Sequence, residues 1–301
     1  RGTSTCRLRK CPAIRGQSTS QAGELPVKLM CRTAKASRSG YYAWKERPES
    51  RRASENRRLL VEIRTAFDEN FEAYGSRRIH AELVSGGQVC DRHRVERLMR
   101  LHGIRAVQRN SPRHCPDDRP HEESVVPDLL HRNFEVALPD RVWLVDITQF
   151  RTREGVLYVA LVLDLCSRMN VGWAAGVMKD RWLTIGAFQT AAGWRRPPPM
   201  LVNHSDHGGQ YACPDYAGAL KEAGAVASMS RPGNPYDNAP MESFIKTFKA
   251  EFVYRHDFET TKEAIAAVGG YLQVYYNCRR RHSALGYLSP AEYEKQLRKS
   301  T

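Results

Sequence analysis

The run Val142-Trp143-Leu144-Val145-Asp146-Ile147 decides how this chain must be read. Apolar residues surround a single acid, so Arg141–Phe150 reads as a strand with a carboxylate set into it. Burying an unpaired carboxylate is costly, so Asp146 requires partners. After a turn at Gly155, Val156–Leu165 is apolar almost throughout, as a strand inside a sheet should be. Working outward, Met169–Val177 reads as a third strand, Arg181–Trp194 as a helix and Met200–Asn203 as the next strand. Pro214–Glu222 reads as a helix, Ala225–Met229 as a short strand, Gly233–Asn238 as a loop and Pro240–Phe252 as a helix. This succession predicts an α/β architecture with a mixed sheet. Lys262–Cys278 continues it as a helix, and Ser289-Pro290-Ala291-Glu292 opens the last one with a cap and a proline at its first position.

The upstream third has a different texture. The chain has 301 residues and a formal charge of +14, a length that suggests about two domains. From Arg1 to Asn110, 24 Lys and Arg stand against 11 Asp and Glu, which leaves the remainder close to neutral. A basic module joined to a near-neutral one points to a grip on nucleic acid. Residues 1–24 lack periodicity and read as a disordered or non-native leader. Residues 25–109 read as a basic helical region. A helix, a turn and a Ser-capped helix span Val27–Trp44, and a longer helix carries Leu59, Leu60, Ile63 and Phe67. A helix capped by Ser76 runs to Gly86-Gly87, and another, capped by Asp91, runs from Arg92 to His102. Arginines on their outer faces, Arg77, Arg78, Arg92 and Arg94 among them, suit a helix-turn-helix reader of DNA, with an ordinary basic hairpin as the alternative. Residues 110–139 are proline-rich and read as a linker, followed by the α/β part at 140–295.

The eight cysteines form no C-x-x-C pair, which argues for reduced thiols and against a disulfide frame or zinc site. No apolar run approaches the roughly 18 residues that span a membrane, and the N-terminus lacks a signal peptide's apolar centre. The expectation is a cytoplasmic protein whose natural start lies elsewhere, since Arg1 is not a Met.

Two further acids stand out. Asp206 follows the strand Met200–Asn203 within Asn203-His204-Ser205-Asp206-His207-Gly208-Gly209-Gln210-Tyr211, where the glycine pair reads as a turn using positive φ. Glu242 lies in the first turns of the Pro240–Phe252 helix. Taken singly, Asp146 could be a hydrogen-bonded core acid, Asp206 a turn former and Glu242 a surface residue. Taken together, three hard oxygen donors could hold Mg²⁺ or Mn²⁺. Two such ions roughly 3.5–4 Å apart clamp the attacking and leaving oxygens of a phosphoryl transfer. Lys246 and Lys249, four and seven residues beyond the Glu, share its helical face and are placed to meet DNA phosphates.

At this point the chain resembles a known family. Trp143–Thr148, His204–Tyr211 and Ser228–Phe244 look like the motifs of bacterial insertion-sequence DDE transposases with a retroviral-integrase-type core. So do Tyr275-Tyr276-Asn277, Arg281–Pro290, Ser37–Trp44 and Tyr74–Ile79. The likeness covers about residues 25–295 and points to the downstream-frame product of the insertion sequence three family. It implies an RNase H-like mixed-sheet core with helices on both faces, preceded by a basic all-α region. It also implies Asp146, Asp206 and Glu242 as metal ligands for two ions, DNA as substrate, homo-oligomers on DNA, an upstream-frame partner protein, and a place at the bacterial nucleoid. Asp237 and Asn238 are expected to support the helix entry, and Asp164 to be structural. His207, Gly209 and Pro235-Tyr236 depart from the family pattern without removing a ligand. The competing readings are a catalytically idle DNA-binding relic and an RNase H-like nuclease without strand transfer.

Overall fold

The computed structural model describes residues 26–33, 35–107, 126–231 and 235–300. The leader, most of the Pro-rich linker and the start of the 233–238 loop lie outside the described residues. The described residues fall into two compact units, divided between Leu60 and Val61. The first holds α1 (Val27–Thr33) and α2 (Arg38–Lys45), with Ser37 capping α2 by accepting from the Gly40 amide at 3.1 Å. α3 (Arg51–Glu69) contributes to both units.

In the second unit α4 (Ser76–Ser85) and α5 (Arg92–Leu101) pack through Ile79, Leu83, Val95, Leu98 and Met99. Asp91 caps α5, accepting from the Arg94 amide at 3.1 Å. The expected Ser76 cap is not made. Gly75 occupies the cap position in an extended conformation, so the serine hydroxyl arrives one residue too late.

The sheet runs in the order β3-β2-β1-β4-β5, with β1 at Val142–Thr152, β2 at Gly155–Asp164, β3 at Asn170–Gly176, β4 at Val202–Ser205 and β5 at Val226–Met229. β1, β2 and β3 pair antiparallel, whereas β4 is parallel to β1 and to β5. The sequence places the fourth strand from Met200, but it begins at Val202 because Met200 takes φ +67 in the turn before it.

Period-two alternation separates two cores. Val142, Leu144, Leu161 and Leu163 face α8 (Ala239–Glu251) and α9 (Thr261–Gly269), while Trp143, Val145, Ala160 and Val162 face α6 (Arg181–Arg195) and α7 (Pro214–Glu222). α6 lies very close to β3 at Gly172, where an added Cβ would stand 2.6 Å from the Ala187 carbonyl oxygen and 2.6 Å from the Ala191 Cβ. After α9, Gly270–Tyr276 widens into a π-helical turn that leads to Asn277, whose side chain exchanges hydrogen bonds of 2.9 and 2.8 Å with the Asn170 backbone.

One buried pair fixes the end of α8. Glu251 accepts two 2.6 Å hydrogen bonds from the Arg280 guanidinium, with Arg78 of α4 at 3.9 Å. Nearby, Arg281 donates its amide to the Tyr74 hydroxyl at 2.7 Å and pairs through its guanidinium with Glu82. The C-terminal segment is thereby tied both to α8 and to the helical pair α4–α5.

Two outcomes follow for stability. Glu251→Leu, which leaves Arg280 buried and unpaired, should cost about 3–5 kcal/mol in urea unfolding. Gly172→Ala should cost at least about 1–3 kcal/mol, because helix backbone must move to admit the methyl group.

Candidate active site

The three acids are delivered by separate elements to one place. Asp146 shares the α8-facing side of β1 with Leu144. The parallel pairing of β1 with β4 ends at Leu144 opposite His204, and Asp206 follows just past the end of β4, near enough for its charge to act on Asp146. Glu242 comes from the first turn of α8, seated by Met241 and Phe244 on the sheet. Their proximity is visible in Asp146, whose carboxyl is pushed up to about 7, first by burial and then by the charges of Asp206 and Glu242.

Each acid holds a local partner. The Ile147 amide donates to Asp146 at 2.6 Å, the Gly208 amide to Asp206 at 3.0 Å, and the Lys246 ammonium to Glu242 at 2.9 Å. Among the described residues no three acidic, His or Cys side chains are gathered as tightly as ligands of one ion.

The glycine turn after Asp206 works differently from the sequence expectation. Neither Gly208 nor Gly209 takes positive φ. What Gly208 supplies is room, since a Cβ there would lie 2.9 Å from the Gln210 Oε1 and 3.0 Å from the Asp206 Oδ1.

Neighbouring polar groups hold this corner rigid. Asp237, at the entry to α8, is gripped by Arg231 at 2.8 Å and Arg132 at 2.6 Å, which hold its carboxyl well below the usual range despite burial. Asn238 donates to the Val145 carbonyl at 3.5 Å, joining the helix entry to β1. His204 spans β4 and β5, with Ser228 at 2.9 Å and Ser230 at 3.1 Å on its two nitrogens. Burial lowers its pKa, although the Asp128 and Asp237 charges act in the opposite sense. Asp164 accepts from Ser167 and from the Asp140 amide at 2.7 Å each.

Sequence reasoning missed two groups at the site. Lys179, in the loop before α6, lowers the pKa of Asp146 by its charge, and nothing local in the sequence marks it. Tyr211 is buried, with its hydroxyl unpartnered among the described residues and within reach of the Asp146 and Asp206 charges. Its place in the His204–Tyr211 motif was its signal.

The expected DNA-contacting cations scatter. Lys246 is half exposed and ion-paired to Glu242, while Lys249 has no hydrogen bond or ion pair among the described residues. Arg77 is exposed on α4, and Arg92 and Arg94 are half-buried on α5. Arg78 turns inward, over the Tyr74 ring at 5.6 Å and towards Glu251.

A mixed five-stranded sheet with acids on β1, just past β4 and on α8 is the arrangement expected of an integrase-type core. Comparison with known proteins agrees. Models of the integrase core domain match residues 137–235 and 223–290, and one of an HTH-like domain matches 54–112. The chain is 39% identical to the insertion element IS600 31 kDa protein of Shigella sonnei, covering 89% of this chain and 98% of that one. It is also 39% identical to the transposase for insertion sequence element IS904 of Lactococcus lactis, over 83% of this chain and 98% of that protein. To the transposase InsF for insertion sequence IS3A of Escherichia coli it is 35% identical, over 91% and 95%. The magnesium-bound HTLV-2 integrase catalytic core covers 52% of this chain at 13% identity and a TM-score of 0.40, too low to add to the assignment. The chain belongs to the family of insertion-sequence transposases with an integrase-type core. Among the described residues no helix is long and apolar enough to cross a membrane.

The Asp146 environment has a measurable sign. Its folded pKa lies above its unfolded value, so the fold is favoured at low pH and that contribution is lost as pH rises from about 4 to about 7. With EDTA present, Asp146→Asn should therefore be more stable than the parent near pH 8, and the difference should vanish near pH 4. Urea unfolding at both pH values checks this; a pH-independent difference contradicts it.

Proposed function

We propose that this chain cuts the ends of an insertion sequence and joins the freed 3′-OH to target DNA, with Asp146, Asp206 and Glu242 as its catalytic acids. The observation that carries the reading is the convergence of three acids from β1, the end of β4 and the start of α8 so closely that two of them raise the pKa of the third. The donor chemistry fits a divalent cation. All three groups are hard oxygen donors, and their mutual repulsion is what such a cation relieves. Asp146, Asp206 and Glu242 would hold Mg²⁺ or Mn²⁺, as two ions. Bound there, the metal supplies Lewis-acid stabilisation of charge developing on the phosphate oxygens.

The chain's own residues then have distinct tasks. Asp146, fixed by the Ile147 amide, and Asp206, fixed by the Gly208 amide, present carboxylate oxygens from adjacent strands. Glu242 accepts from the Lys246 ammonium at 2.9 Å, and with Glu242 on a cation that ammonium would be left for a DNA phosphate. Lys249 lies on the same helix, and Arg77, Arg92 and Arg94 serve duplex contacts from α4 and α5. In the first step a water oxygen bonds to phosphorus as the 3′-oxygen leaves and takes a proton. In the second, that 3′-oxygen bonds to a target phosphorus and the target's own 3′-oxygen leaves. Neither step requires a covalent bond to the protein. The reading includes homo-oligomers on paired ends, an upstream-frame partner and action at the nucleoid. The complete triad disfavours an idle relic.

The test is direct. With Mg²⁺ or Mn²⁺ and the inverted repeats of its own element, the purified protein should nick and join. Asp206→Asn should lose both reactions while DNA binding persists in a gel-shift assay. Joining by the variant would remove Asp206 from the mechanism.

A further inference from the structure

Beside the catalytic acids, on the adjoining flank of α8, lies a cavity of about 390 Å³. That size falls towards the small end of the ~300–1,000 Å³ found for small-molecule sites. Its wall carries Arg78, Arg168, Arg280 and His282, with the Ser243 hydroxyl and the Phe134 ring, and no carboxylate lines it among the described residues. Ser243 directly follows Glu242, so the cavity and the acid triad share one turn of helix.

The cations differ in what they already hold. Arg280 is committed to Glu251 at 2.6 Å, and Arg78 stands 3.9 Å from the same carboxylate. One buried acid thus faces two guanidinium groups. Arg168 is different: its guanidinium has no hydrogen bond or ion pair among the described residues. It is only part-exposed, and burial lowers its pKa, although the carboxyl of Asp164 lies near enough to act in the opposite sense. Its backbone sits at φ +58, a conformation uncommon for an arginine, in the turn joining β2 to β3. A desolvated, unpaired guanidinium is costly, and an anion arriving in the cavity removes that cost. Guanidinium groups match phosphate oxygens with paired hydrogen bonds, and a flanking aromatic ring suits the flat face of a base.

We propose that this cavity takes one phosphate-bearing nucleotide of the DNA handled by the enzyme, with its phosphate on Arg168 and its base towards Phe134. The site deepens the transposase reading and rests on it. It places a DNA grip on the flank of the helix that carries Glu242, separate from the outer faces of α4 and α5.

The experiment uses the full chain in EDTA and a duplex oligonucleotide carrying the terminal repeat of its element, with affinity read by fluorescence anisotropy across a salt series. Arg168→Gln should weaken binding up to about tenfold and reduce the slope of log affinity against log salt by about 0.9, the loss of one phosphate contact. Arg168→Lys should restore most of the slope. Ala284→Glu, at the exposed rim of the cavity, places a carboxylate against the phosphate without touching a buried group, and should weaken binding comparably even if Arg168→Gln folds poorly. Unchanged affinity and slope in both Arg168→Gln and Ala284→Glu overturn the proposal. If millimolar dAMP raises the melting temperature of the parent while these variants bind DNA normally, the cavity serves a free nucleotide and the DNA assignment falls. Asp206→Asn from the same preparation separates the two readings. Silent cavity variants beside a dead Asp206→Asn discard the cavity alone, whereas a joining-competent Asp206→Asn discards the catalytic reading.

Discussion

The buried pair of Glu251 and Arg280 is the contact on which the placement of the site depends. Glu242 and Glu251 occupy the two ends of one helix, so anchoring the second sets the axial position of the first. Arg280 supplies that anchor from the C-terminal segment, and both partners are almost completely removed from water. An ion pair this dry adds little net stability over a well-packed apolar contact, but it tolerates few alternative geometries. Its value here lies in fixing position. An apolar contact would let α8 slide along the sheet, whereas two short hydrogen bonds to a planar guanidinium do not. Beside it Phe252 stacks on Phe248 and on Tyr271, whose hydroxyl stands 3.5 Å from Glu251.

The acids meet the opposite condition. Their position is set by strand register and helix start, while their charges oppose the meeting. Asp146 holds its proton to about neutral pH, first because it is buried and then because of the Asp206 and Glu242 charges. Asp206 and Glu242 lean on a backbone amide and a lysine. The scaffold therefore stores repulsion at a point that a cation would discharge, which is how a rigid framework prepares an electrostatic site in advance.

Much of this was legible in the chain. The strand around Asp146, the succession of strands and helices, and the acids at a strand end and a helix start all follow from alternation and capping chemistry. The misses have physical causes. Ser76 looked like a cap because composition cannot tell which of two adjacent residues is extended, and Gly75 was. Gly208 looked like a positive-φ residue, but its constraint is steric and arises from side chains that only the folded loop brings near. Lys179 lies near enough for its charge to act on Asp146, without any local pattern to mark it. Arg78 looked like a surface cation because sequence shows charge and not direction, and its partner Glu251 is far along the chain. Asn277 had a motif but no evident task, which proved to be closing the backbone at the start of β3.

The strand order β3-β2-β1-β4-β5 has a consequence for synthesis in the cell. β1 pairs locally with β2, but its other edge waits for β4, and the last acid arrives on a helix whose far end is locked by a residue beyond position 275. A chain ended before α8 therefore has at most two of the acids, and one ended before Arg280 lacks the clamp on the far end of α8. Cutting DNA is dangerous to whatever cell carries the enzyme. The three acids are together, with α8 anchored at its far end, only once nearly the whole polypeptide has been made.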